Sequence, residues 1–297
     1  MVICPKCQTS LGPTNIAAAS CNACGFRPSI AGVIPLFAPD YWLKFEDHSR
    51  YSIQNLITHA ENHFWMISRR RVITDTVTSL LNEGKSFLEV GSGPGDVSKE
   101  LQNRGLKVTV SDIQIDGLNH AANHNISDVV QFDLYHPIYR DHFDAVGAFD
   151  VIEHLEDDLT AAKHLLDIVK PGGFVFVTVP AHKWLWNNRD RLENHKRRYS
   201  RLGLRKLFEG VGATIISVDY IFFMILPLLL ARTIFDLVRR RDSFTPKDHQ
   251  NSMNINSIIN QLLLVLTTIE LSIFRRRSPP IGGTLILTAR KQNIKFR

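Results

Sequence analysis

The sequence predicts an α/β fold: an open, mostly parallel sheet wrapped by helices, with a small metal module before it and an apolar helical insertion near its end. Three observations carry this. Short buried-strand patterns alternate with amphipathic helical patterns. The first strand runs through a glycine loop straight into a helix. All four cysteines of the 297-residue chain fall in two paired knuckles within the first 24 residues.

The cysteines come first. Cys4-Pro5-Lys6-Cys7 and Cys21-Asn22-Ala23-Cys24 are two C-x-x-C turns. Each presents two sulfurs to one ion, and together they complete a tetrahedral S₄ shell that suits zinc. Cys4, Cys7, Cys21 and Cys24 are therefore the expected ligands of one structural zinc, in a ribbon spanning residues 1–40. So small a module buries too little apolar surface to fold alone, so the metal supplies stability. Met1-Val2-Ile3-Cys4-Pro5 lacks a charged n-region and a long apolar h-region. A cytoplasmic, reducing location is expected, which favours thiolate ligands over disulfides.

Residues 41–82 read as mostly helical, and the aromatics of Phe64-Trp65-Met66, followed by Arg69-Arg70-Arg71, are set to pack on the sheet or cover a ligand. Ser86-Phe87-Leu88-Glu89-Val90 is a buried strand leading into Gly91-Ser92-Gly93-Pro94-Gly95 and a helix with Val97 and Leu101. Glycines there let backbone approach a ligand. Gly84-Lys85-Ser86 imitates the tail of a phosphate-binding loop, but Ser79 stands where that motif needs glycine. The G-x-G-x-G spacing also differs from the G-x-G-x-x-G of nicotinamide sites.

Strands ending in acids follow: Lys107 to Asp112, then Val129 to Asp133, with Asp112 placed to accept ribose hydroxyls. Phe143 to Phe149 is a fourth strand, and Leu159, Ala162, Leu165, Leu166 and Val169 mark a helix face. Lys170-Pro171-Gly172-Gly173 should stop that helix before a fifth strand, Phe174 to Val179. Ser200 caps a further helix; Thr214 to Val218 reads as strand six and Thr284 to Ala289 as the last.

Glu89-Val90-Gly91-Ser92-Gly93-Pro94-Gly95, the acids after strands two and three, and the Pro-Gly-Gly before strand five together resemble the motifs of class I S-adenosylmethionine-dependent methyltransferases. The resemblance implies a Rossmann-like seven-stranded sheet over residues 41–297. It also implies that Gly91, Gly93 and Gly95 cradle the methionine moiety of S-adenosylmethionine. Glu89 then lies near its amino group, Asp112 on ribose, Asp133 on adenine, and Phe149 at the end of strand four beside the cofactor. The N-terminal layout is similar to small zinc-binding activator subunits of tRNA and protein methyltransferases, and to ribosomal-RNA guanine methyltransferases carrying a zinc ribbon.

The acceptor belongs beyond the carboxyl ends of the strands. Asp150-Val151-Ile152-Glu153-His154 resembles the matching stretch of ubiquinone-pathway O-methyltransferases. A carboxylate beside an imidazole serves as general base or as part of a divalent metal site. After strand five, Ala181 to Trp186 and Asn194-His195-Lys196-Arg197-Arg198-Tyr199 offer aromatics to stack and arginines to hold an anion. His195 or His154 is the expected base, with Glu153 beside it.

Residues 221–280 form the insertion. Tyr220 to Ala231 is too short to span a bilayer and reads as broken by Pro227; Ile258 to Phe274 is borderline. Arg239-Arg240-Arg241 and Arg275-Arg276-Arg277 flank them, and the formal net charge is +6. Apolar helices between arginines suit a peripheral contact with the inner face of a membrane, or a lid over an amphiphile; the alternative is a helical subdomain packed on the sheet or on a second protomer. The expected function is methylation of an amphiphilic or lipid-linked small molecule at the membrane surface. The alternatives are an RNA methyltransferase gripping nucleic acid with ribbon and basic run, and a non-catalytic adaptor.

Overall fold

The structure is a computed structural model. It describes all residues except 13–15, 43–47, 127, 240–244, 246, 249–250, 252, 275–276 and 294–297. The expected roles of Arg240, Arg241, Arg275 and Arg276 thus fall outside the described residues.

Nine strands form one sheet. In chain order they are β1 (Ser29–Ala31), β2 (Ile34–Leu36), β3 (Ser86–Val90), β4 (Lys107–Asp112), β5 (Asp128–Gln131), β6 (Phe143–Phe149), β7 (Val169–Pro180), β8 (Ala213–Ile221) and β9 (Thr284–Lys291). Their spatial order is β1-β2-β5-β4-β3-β6-β7-β9-β8. From β5 to β7 all pairs are parallel, and β9 inserts antiparallel between β7 and β8. Seven strands, β3 to β9, form the expected α/β sheet; β1 and β2 extend it to nine.

The central strands are buried on both faces because helices cover both. One face packs α3 (Phe64–Thr78), α4 (Asp96–Asn103) and α5 (Ile115–Asn123) through Ile73, Val77, Leu101 and Leu118. The other packs α6 (Asp158–Ile168) and α8 (Arg201–Gly210) through Leu165, Leu166, Leu204 and Phe208. Ser200 caps α8 by accepting from Gly203 N at 3.0 Å, as its residue type predicts.

The ribbon is welded to this sheet. β2 lies parallel to β5 with Leu36 opposite Gln131, and the Gln131 amide bridges both backbone groups of Ala38, at 2.9 and 2.7 Å. Ile3 N donates to Ile138 O at 2.8 Å. Cys4 and Cys21 are buried in the same core as Tyr139 and Phe143.

Two expectations change. The Pro-Gly-Gly segment does not precede the fifth strand; it bulges inside β7, which already begins at Val169. Phe143 faces Val169 while Ala145 faces Phe174, so four residues loop out opposite one. Gly172 has φ +79° and a Cβ on Gly173 would lie 2.8 Å from Asp144 O, so glycine is needed at both. Nor does Pro227 break its apolar run. It sits in the first turn of α9 (Leu226–Val238), where a missing N–H costs nothing.

The lead-in comprises α1 (Pro39–Trp42), α2 (His48–His59) and α3, the short α7 (Asn188–Leu192) lies in the loop after β7, and α10 (Ser257–Ile273) closes the insertion. α10 docks on α3 through polar bonds. Ser68 and Thr267 hydroxyls meet at 2.7 Å, and Asn260 Oδ1 caps α3 by accepting from Phe64 N at 2.9 Å.

Candidate active site

The carboxyl ends of β3 and β4 form a backbone-lined recess. Gly91, Gly93 and Gly95 have φ of +68°, +53° and +82°, a region that side chains with a Cβ adopt at a cost. At Gly91 a Cβ would also meet Val151 at 2.5 Å. Gly93 N donates to Asp112 Oδ2 at 2.8 Å, and Gln114 N to Oδ1 at 2.9 Å. Asp133, in the turn after β5, accepts from Tyr135 N and faces His136 Nδ1, each at 2.9 Å. Glu89 is buried and accepts from Ser98 Oγ at 2.5 Å. Burial raises its carboxyl to about 8, against the donation from Ser98.

Above the recess lies α2. The Leu56 and Ile53 methyls stand 3.6 and 3.7 Å from where a Gly93 Cβ would be. Below it, Gly117 of α5 presses on the loop: its Cβ would lie 2.4 Å from Gly93 O. Sequence reading missed Gly117, although a glycine inside a helical pattern signals close packing. The carboxyls of Glu89, Asp112 and Asp133 stand around the glycine loop, so it suits a cationic, hydroxyl-bearing ligand better than a nucleotide phosphate. S-adenosylmethionine, with its sulfonium and ribose, fits that chemistry.

Phe149 is placed differently from expectation. Its ring turns into the core and stacks on Phe87 at 6.5 Å, because residues alternate faces along β6. Only its carbonyl reaches the strand ends, where Arg69 Nη2 donates to it at 2.8 Å. Arg69 also binds Asp150 at 2.5 Å and lies over Trp65. Arg69 of α3 thus fixes the loop after β6.

The loops after β6 and β7 converge. Asp150 (φ +58°) and His182 (φ +58°) turn the chain in left-handed conformations. Glu153, His154 and His195 each bring one ligand atom within 4.8 Å of the others, a set that could hold a divalent cation. Glu153 is fully buried and neither carboxyl oxygen has a hydrogen-bond partner among the described residues. Burial, with the Asp150 charge adding to it, raises its carboxyl well above the usual range. Burial also lowers His154 to about 4, helped by His195, whose ring lies 4.7 Å away. His154 is therefore neutral at neutral pH.

His195 has a partner that sequence reading missed. Its Nδ1 lies 2.9 Å from Asp190 Oδ1, and the same carboxylate takes Arg198 at 2.7 and 2.9 Å. Burial works against the Asp190 charge, but donation from His195 and Arg198 outweighs it and holds the carboxyl below its usual value. An ionised carboxylate only accepts, so Nδ1 carries the proton and Nε2 the lone pair. The expected anion grip is corrected here. Arg197 is engaged with Asp158 and the carbonyls of Leu155 and Glu156, Arg198 with Asp190, and Lys196 with Glu156.

In the ribbon, Cys4 and Cys24 sulfurs are 3.6 Å apart and Cys7 and Cys21 3.4 Å, far beyond a disulfide bond. A zinc tetrahedron with bonds of about 2.3 Å has edges of about 3.8 Å, so the four sulfurs fit zinc. A hydrogen bond with Thr9 lowers the Cys21 thiol to about 6 and another lowers Cys7, whereas burial raises Cys4.

The sheet order and the acid-lined glycine recess define a class I methyltransferase fold. A family model described as a methyltransferase domain matches residues 65–218, about half of the chain. The chain belongs to this methyltransferase-domain family. Ubiquinone biosynthesis O-methyltransferase of Escherichia coli is 29% identical over 100 residues. That match spans 31% of this chain and 42% of the relative. Among solved structures, a chain from the complex of the Haloferax volcanii Trm112 methyltransferase activator with a methyltransferase aligns at TM-score 0.56 and 14% identity, over 83% of this chain and 98% of that one. Phosphoethanolamine N-methyltransferase 2 of Haemonchus contortus, bound to S-adenosyl-L-methionine, aligns at 0.54 and 13%, over 90% and 61%.

Proposed function

We propose that this chain is an S-adenosylmethionine-dependent methyltransferase acting on an amphiphilic or lipid-linked small molecule at a membrane surface, with a structural zinc in its ribbon. Asp112 binds the ribose hydroxyls, Asp133 the adenine and the glycine loop the methionine part. The bound cofactor supplies an electrophilic methyl group on a sulfonium. The chain's own work is to orient the acceptor, exclude water and remove a proton. His195 is the stronger candidate base, because Asp190 fixes its tautomer and stabilises its protonated form. His154, lowered to about 4, is a weak base and serves better as a neutral wall or donor.

The observation that carries the membrane part is that α9 and α10 are built inside out. On α10 the buried residues are Leu263, Thr267 and Glu270, while Ile258, Leu262 and Val265 are more than half exposed. On α9 only Thr233 is buried, and Leu237 and Val238 are exposed. The one acid on each helix turns inward: Asp236 accepts from Asn188 N and Glu270 from Met224 N. The outer faces thus carry apolar side chains, with Arg239 and Arg277 at the ends. Such surfaces suit an anionic bilayer. Among the described residues no helix is long and apolar enough to cross a membrane, so the contact is interfacial.

The RNA reading has less support. Its basic run is engaged internally, and the ribbon extends the β5 edge, opposite the β8 edge that leads into the insertion. The test is methyl-labelled cofactor with purified protein and extract from cells lacking the gene. Label in the organic-soluble fraction upholds the amphiphile; label in RNA replaces it; no transfer with no cofactor binding returns the adaptor reading.

A further inference from the structure

Beyond the strand ends lies a second, apolar recess that the methyl-transfer chemistry does not use. It is an open cleft of 320 Å³ lined by Trp184, Phe223, Met224, Leu226, Pro227 and Leu230. Apart from the Trp184 indole N–H, these side chains offer no hydrogen-bond donor, and none carries a charge. β7 and β8 are both antiparallel to β9, so they end at the same edge. Trp184 lies in the loop after β7 that also carries His195, and Phe223 to Leu230 follow β8. The cleft therefore opens on the ligand edge of the sheet.

Its walls are held open. Met224 N donates to buried Glu270 at 2.9 Å, and Thr233 Oγ1 to Leu185 O at 3.1 Å. Phe222 turns the chain at φ +65°, a strained conformation for an aromatic residue. His182 stacks behind Trp184 at 4.9 Å and leaves the indole half exposed.

We propose that this cleft seats one hydrocarbon chain, acyl or prenyl, of the methyl acceptor. The volume lies at the low end of small-ligand pockets, about 300–1,000 Å³, which is room for a chain and not for a folded partner. Leu230 lines the cleft and is also 41% exposed on α9. The chain thus passes from the bilayer face into the protein without crossing water, while the head group stays at the strand ends near His195. This rests on the amphiphile reading above and names the part of the substrate that it recognises.

The test uses the full chain and monomeric brominated stearate, whose bromines quench tryptophan on contact. Saturable quenching is expected, lost for the most part in Trp184→Phe and weakened about tenfold in Met224→Gln. Both variants should float with anionic vesicles as the parent does. Quenching that is unsaturable, or unchanged in both variants, overturns the chain site. If flotation then persists, the membrane reading survives alone. Saturable, Trp184-dependent quenching without flotation upholds the chain site and removes the membrane.

Discussion

Asp190 Oδ1 stands 2.9 Å from His195 Nδ1 while Arg198 grips the same carboxylate from the other side. The carboxylate is wholly buried. Asp190→Asn should lower kcat by about 10²–10⁴ with a small change in KM. A fall in melting temperature with kcat unchanged would make Asp190 a scaffold residue only.

Gly117→Ala should weaken cofactor affinity although Gly117 is not itself assigned to contact the cofactor, because it presses on Gly93 of the loop. The added methyl would sit 2.4 Å from Gly93 O, and backbone must shift to admit it. Overpacking of this kind costs about 1–3 kcal/mol. Calorimetry with S-adenosylmethionine and a thermal melt read the two effects, and unchanged values in both would show the loop to be softer than its packing implies. Asp112→Ala is the companion experiment, with a larger loss of affinity and a loss of stability as well, since Gly93 N and Gln114 N lose their acceptor.

Glu89 gives a pH signature. Its folded carboxyl titrates at about 8 against an ordinary value of 4.5. The folded state therefore holds a proton that the unfolded state has released between those values, and stability falls as pH rises through that window. Glu89→Gln removes the dependence. Relative to the parent, the variant should be more stable at pH 8 than at pH 5. A melting difference that does not vary with pH contradicts the assignment.

Zinc analysis of protein purified without chelator should give one ion per chain. Cys21→Ser should abolish it, since a hydroxyl does not replace a thiolate at such a site. Zero zinc in the parent sinks the ribbon assignment.

What the sequence revealed and what it hid follow one physical division. Strands β3, β6 and β9 were legible because both faces are buried and their residues read as nearly continuous apolar runs. The glycine loop was legible because positive φ leaves few residue choices, and the cysteines because four thiolates at C-x-x-C spacing have few other uses. The meeting of Glu153 and His154 with His195 was not, since two loops some forty residues apart must fold before the cluster exists. Asp190 lies five residues before His195, but no periodic pattern marks a turn that brings them together. Arg197 and Arg198 looked free only because their acceptors, Asp158 and Asp190, are placed by tertiary packing. Phe149 followed the alternation along β6, which put its ring on the core side.

The seam between β2 and β5 has a further consequence. β5 is the outermost strand of the parallel sheet, and the hairpin of the ribbon is what shields its open backbone. An uncovered strand edge is a template for pairing with another chain. Loss of the metal should thus promote self-association of the chain. Light scattering after chelation, rising with protein concentration and reversed by early zinc addition, would reveal the ribbon as a guard against aggregation.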